Sequence, residues 1–339
     1  MFMSKIQSKM IAALSACLAA AALLSGCSDA SGDAKESTDT HTTLAPTADT
    51  TTAPISEESK DKTITVTFGD KVSSGDGTVL LEVTKSEFKA GATVKVELPK
   101  DEHYLAISIS KDHVDEAIVY LPSGVFNYTI PNLAWSYPSE LKRVARHTIS
   151  ARIPSDDELA AVQNLARNPL DLISKDTKIK NYTYAAWSGD VYPHATASSV
   201  CRLYDSEESK YQFEARNAID GIKKNTSHGS YPYQSWGPDS DFSEKKGYIK
   251  IDFGHEVNVD SLNMYIRADF PHDTYFKKMK VEFSDGSSME FDIEKTANEQ
   301  DFEIGGIKTT YIKITELEKD DHNGWAAITE IEVMGTHVK

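Results

Sequence analysis

From residue 62 onward, short runs of alternating apolar and polar residues recur along the chain, each closed by turn-forming residues. Successive side chains of a strand point to opposite faces, so this period fits half-buried strands and leaves little room for long amphipathic helices. The first series occupies 64–68, 79–83, 94–98, 105–109, 117–121 and 125–130. Between these runs lie Ser74-Gly75-Asp76-Gly77, Ala90-Gly91, Pro99-Lys100-Asp101 and Pro122-Ser123-Gly124. Strands of this length and spacing predict a small β-sandwich over 62–131.

A second series predicts a larger sandwich over 191–339. Ile249, Ile251 and Phe253 share one face, and Lys250 and Asp252 the other; Leu262, Met264 and Ile266 repeat the pattern. Two further runs, 279–283 and 289–293, flank Ser284-Asp285-Gly286-Ser287, which is hairpin-turn chemistry. The intervening 132–190 reads as a short α/β connector. Residues 146–151 alternate as a strand. Ser155 with Glu158 then forms a capping box, Leu159, Val162, Leu165 and Ala166 suit one helical face, and Asn168-Pro169 ends the helix. The fold class expected is therefore all-β, with one helix.

The N-terminal part carries different information. Lys5 and Lys9 precede an apolar stretch over 10–24 that is too short to span a bilayer comfortably, as in a signal peptide over 1–26. Leu24-Ser25-Gly26-Cys27 resembles a bacterial lipobox, which implies lipidation of Cys27 and an extracytoplasmic protein anchored in the cell envelope. Two acyl chains suffice for stable attachment. The alternative is an ordinary secretory signal with an incidental cysteine. The segment 27–61 is rich in Thr, Ser, Ala and acidic residues and has no aromatic side chain, so a flexible linker is expected. With Cys17 and Cys27 assigned to the leader and the anchor, Cys201 stands alone, and a buried, inert thiol is expected.

The formal charge of −16, without basic clusters interleaved with aromatics, argues against nucleic acid and favours neutral or cationic ligands over polyanions. No GxSxG elbow, HExxH, P-loop or dinucleotide fingerprint occurs.

Four phrases stand in order in the distal part: Asn217-Ala218-Ile219-Asp220-Gly221, Ser235-Trp236-Gly237, Tyr248-Ile249-Lys250-Ile251-Asp252-Phe253-Gly254 and Ile328-Thr329-Glu330-Ile331-Glu332-Val333. Together they resemble the discoidin-type, galactose-binding-like jelly roll (coagulation factor 5/8 C-terminal type, close to family 32 carbohydrate-binding modules) over 192–335. The resemblance implies a carbohydrate ligand bound without catalysis. It also implies a structural Ca²⁺ held by Asp220 and Glu330 with backbone carbonyls.

Within this segment Arg267, Asp269, His272 and Asp273 form a polar cluster at the end of a strand, suited to paired hydrogen bonds with sugar hydroxyls. The alternative is an internal salt bridge that stiffens the loop. Tyr231, Tyr233, Trp236 and Trp325, with His228 and His322 nearby, are candidates to stack on the apolar face of a sugar ring; Trp236 could instead pack beneath the loops. Two other functions remain open: an adaptor for an envelope protein partner, and a glycan-active hydrolase.

Overall fold

The computed structural model describes residues 61–130, 141, 144–171, 191–201, 213–224, 235–239, 242–268, 270–271 and 273–338. These residues are nearly all-β, with one short α-helix among them. None of their helices is long and apolar enough to cross a membrane.

The first sandwich has two four-stranded sheets. One runs β2 (Lys71–Asp76), β1 (Thr63–Phe68), β4 (Thr93–Glu97), β7 (Val125–Thr129). The other runs β3 (Thr78–Thr84), β8 (Arg146–Arg152), β5 (Tyr104–Ser108), β6 (Ala117–Tyr120). Their inner faces meet in a core that includes Ile64, Val66, Val96, Ile107, Val119, Phe126 and Ile149. Six of the eight strands coincide with the alternating runs of the first series. The seventh, β2, lacks their apolar face: it is an edge strand paired only with β1, and its Val72 is 64% exposed. The eighth, β8, belongs here rather than to the connector, because it pairs along its whole length with β3 and also with β5.

The helix is much shorter than its apolar spacing predicts. The capping box forms as expected, with the Glu158 amide donating to Ser155 Oγ and the Ser155 amide to Glu158 Oε2. Yet α1 covers only Asp156–Ala160. Arg152 donates to Glu116 and Glu158 and so holds the helix start against the first sandwich. Val162 is exposed, while Leu165 and Ala166 are buried in the distal core from a turn that follows β9. The reason is tertiary: β9 (Gln163–Asn164) pairs with β15 (Ile328–His337), and a strand hydrogen-bonded to a sheet edge cannot continue a helix.

The distal sandwich is built on a seven-stranded sheet. Its order is β13 (Ser288–Asp292), β12 (Phe276–Phe283), β14 (Gln300–Lys319), β11 (Tyr248–Ile266), β15, β9, with β10 (His194–Ala197) also paired to β11. The runs at 248–253 and 262–266 are the two ends of one 19-residue strand, and β14 is longer still at 20 residues. Both strands bend where their pairing register slips, between Asp252 and Val257 and between Val259 and Ser261. The bends let one sheet wrap a single core of Trp236, Ile251, Phe253, Val281, Phe283, Ile314 and Ile331. Phe253, Phe276 and Phe283 are fully buried, and each contributes about 1.5–3 kcal/mol relative to exposure. The β12–β13 hairpin closes as predicted, with Gly286 at φ +86° and Asp285 Oδ1 accepting from the Ser287 amide.

Contacts between the two sandwiches are specific. Tyr120 and Tyr192 exchange backbone hydrogen bonds of 2.8 and 3.0 Å. The Tyr120 ring lies 4.2 Å from that of His255, and Tyr104 packs edge-on against His255 and His337.

Candidate functional site

Two sites among the proposed residues can be built from the structure. At one end of the distal sandwich, β11 ends at Ile266 opposite Ile328, the first residue of β15. Arg267 therefore leaves one strand beside the loop that enters the other, and its amide donates to Ala327 O at 3.0 Å. This pairing brings Arg267 over Trp325, with the guanidinium carbon 5.0 Å from the ring centroid, within cation–π range. A guanidinium nitrogen is 4.0 Å from Asp273 Oδ1, and Asp273 Oδ2 accepts from the Phe270 amide at 3.1 Å. Two sets of residues proposed separately from sequence thus converge on one rim. Beside them, Phe270 is a large apolar side chain left 40% exposed.

Trp325 is half-buried and firmly seated. Its Nε1 donates to Pro238 O at 2.8 Å, and Phe213 meets its ring edge-on at 4.5 Å. Gly237 lies flat under the indole, where any Cβ would overlap the ring. Gly237→Ala should therefore push Trp325 out of place and cost about 1–3 kcal/mol as overpacking, measured by denaturant unfolding. A variant as stable as the parent, with unchanged Trp fluorescence, would contradict this seating.

Trp236 is not part of the rim. It is completely buried, stacks on Phe276 at 6.2 Å, and donates from Nε1 to Ser199 O at 3.0 Å. Its main chain bridges Ile328 in both directions at 2.8 Å, which fixes the side chain inward as a core residue. Cys201 is buried as expected, and burial pushes its thiol up to about 11, so it is inert at neutral pH. Cys27, His228, Tyr231, Tyr233, Asp269 and His272 lie outside the described residues.

Sequence reasoning missed a staple on the loop that carries Trp325. Exposed His322 pairs with Glu244 Oε1 at 2.9 Å, and Lys319 Nζ donates to His322 O and Gly324 O at 2.8 and 2.9 Å. Glu244 is far away in sequence, and no local pattern marks it.

The second site is the pair Asp220 and Glu330. Glu330 is on β15, and the Asp220-Gly221 turn lies over it: the Gly221 amide donates to Glu330 Oε1 at 3.1 Å and the Ile222 amide to Asp220 Oδ1 at 2.9 Å. Both carboxyls are buried, and Glu330 Oε2 has no hydrogen-bond partner among the described residues. Burial pushes Asp220 up to about 8. Glu330 is raised well above the usual carboxylate range, by burial first and by Asp220 second. Two buried carboxyls sharing a site, one oxygen unsatisfied, fit a hard divalent cation well. No cluster of three or more His, Cys or acidic side chains closes on one point among the described residues, so backbone carbonyls would complete the shell.

The family model described as F5/8 type C domain matches residues 194–331, the stretch that carries both sites. No curated protein matches the chain. Solved structures similar to it include the family 32 module of C. perfringens NanJ in complex with galactose (20% identity, 41% of this chain and 91% of that one, TM-score 0.31). The lectin domain of lectinolysin complexed with Lewis B antigen is 17% identical over 52% of this chain and 98% of that one, with a TM-score of 0.35. Chitosan-binding module 1 from the chitosanase/glucanase of Paenibacillus sp. IK-5 is 16% identical over 51% and 99%, with a TM-score of 0.31. By the family match, residues 194–331 of this chain are an F5/8 type C, discoidin-like domain.

Proposed function

We propose that this protein binds a neutral glycan without chemical turnover, at the rim formed by Arg267, Asp273 and Trp325. The observation that carries this reading is the guanidinium set against the indole at the meeting of β11 and β15. With Gly237 against the indole and Arg267 over it, a sugar would set its C–H groups on the part of the ring left exposed and on Phe270, and its hydroxyls on the planar donor fork, without burying an unpaired charge. Asp273 keeps the fork oriented. The Glu244–His322 pair holds the loop, which lowers the ordering cost of binding.

In the same reading Asp220 and Glu330 hold Ca²⁺ as a structural ion that pins the turn to β15. Its role is to neutralise two buried carboxylates. Cys27 anchors the chain by lipid to an envelope membrane, and the 27–61 linker presents the sandwiches to saccharide. Shallow polar sites bind weakly one at a time, and many copies in one membrane compensate by avidity.

The purified protein on a glycan array, with and without EDTA, tests this. Saturable binding to neutral saccharides, weakened but not abolished by EDTA, is expected. Silence on the array, with a protein captured independently of glycan, would favour the adaptor. Release of product from a chromogenic glycoside would favour the hydrolase.

A further inference from the structure

We propose that Arg167 is a built-in counter-cation of the Asp220–Glu330 site that also clamps the first sandwich, so that calcium binding and the clamp work against each other. This rests on the calcium reading above and adds its regulation.

The position of Arg167 follows from the pairing around it. Leu165 donates its amide to Val333 O at 2.7 Å, and Asn168 donates to Ile219 O at 2.8 Å. Residue 167 is thereby wedged between β15, which carries Glu330, and the turn that carries Asp220. From there its guanidinium reaches the other sandwich. It donates to Glu116 O and to Asp115 O (3.5 Å), and lies 3.7 Å from Asp115 Oδ2. Its Nε packs on Gly221, where a Cβ would come within 3.0 Å; with φ at +88°, that position suits glycine on both counts. The charge of Arg167 acts on both buried carboxyls, second to buried Arg216 at Asp220 and without Arg216 at Glu330, favouring their ionised forms.

One cation thus serves two partners. In the ion-free protein it partly compensates the carboxylates while gripping the Asp115–Glu116 loop. A divalent ion between the carboxylates takes over the compensation and repels the guanidinium. Linkage makes the effect reciprocal: if seated Arg167 weakens calcium binding, calcium loosens seated Arg167 by the same factor.

Calorimetric titration with CaCl₂ and thermal unfolding in EDTA test the idea on the purified protein. Arg167→Gln should bind calcium about fivefold or more tightly than the parent and unfold at lower temperature in EDTA. Arg167→Lys keeps the charge but loses the planar fork, so its calcium affinity should stay close to the parent's. If Arg167→Gln does not fold, the Arg167 Nε–H signal in the NMR spectrum of the parent serves instead, with faster solvent exchange expected on adding calcium. Unchanged or weaker calcium binding by Arg167→Gln, or unchanged Nε–H exchange, overturns the coupling while leaving the calcium site standing. A parent protein that binds no calcium overturns both.

Discussion

In EDTA, the protein should lose stability steadily as pH rises from about 6.5 to 8, and saturating Ca²⁺ should remove most of that slope. The cause is the buried pair. Asp220 titrates near 8 in the folded protein against 3.8 for the ordinary group, so folding favours its protonated form. A raised carboxyl of this kind contributes stability that is complete below the unfolded value and disappears as pH climbs through the folded one. Calcium binds the ionised pair, so folded and unfolded states hold the same protons in this window and the slope disappears.

At a hundred times its dissociation constant the ion would add about 2.7 kcal/mol, a rise in Tm of about 5–10 °C for a unit of this size. This pH window lies above three opposing groups, His147, His255 and His337, each lowered chiefly by burial. His147 and His337 are lowered by burial to about 4 and about 3, and they cost stability only as pH falls below about 6.5. His194 shares the sign of Asp220: burial works to lower it, but Asp171 at 2.7 Å raises it on balance. Asp220→Asn separates the two, because it should flatten the slope in EDTA, stabilise the ion-free protein at pH 8 and abolish the calcium shift. A melting temperature indifferent to both pH and calcium in the parent would end the metal assignment.

Arg267→Ala should weaken saccharide binding by about 100-fold, or about 2.8 kcal/mol, measured by titration with any ligand identified on the array. The variant loses both the donor fork and the cation over Trp325. The same change removes the guanidinium 4.0 Å from buried Asp273, so some loss of stability is expected with it. Arg267→Lys distinguishes the two effects. It keeps a charge beside Asp273 and should stay folded, yet it should still lose most binding because an ammonium cannot form the planar fork. Full affinity in a folded Arg267→Lys or Arg267→Ala variant would move the site elsewhere on the rim.

How much of this was written in the chain can be judged residue by residue. Period-two alternation marked the strands that bury one face, and turn chemistry marked the Ser284–Ser287 hairpin. Strand β2 escaped because it buries neither face well, so it has no apolar alternation to read. The helix after Ser155 was overextended because Leu165 and Ala166 have the right spacing for a helical stripe but are buried by a sheet edge. The two tryptophans could not be told apart locally. Trp236 is drawn inward by its bridge to Ile328, and Trp325 stays at the rim against Gly237.

By itself, the sequence determined the all-β character, the turn positions, the capping box and the residue types available for a glycan or a cation. Each depends on neighbours a few residues apart, where backbone geometry and side-chain chemistry act directly. Only the tertiary structure decided that β8 completes the first sandwich, that Arg267 meets Trp325, that Asp220 and Glu330 share one buried site, and that Arg167 reaches both sandwiches. Those contacts join residues tens to more than a hundred positions apart. They exist because buried backbone must find hydrogen-bond partners, and the two sheets of the first sandwich and the single bent sheet of the distal unit must each close over a core.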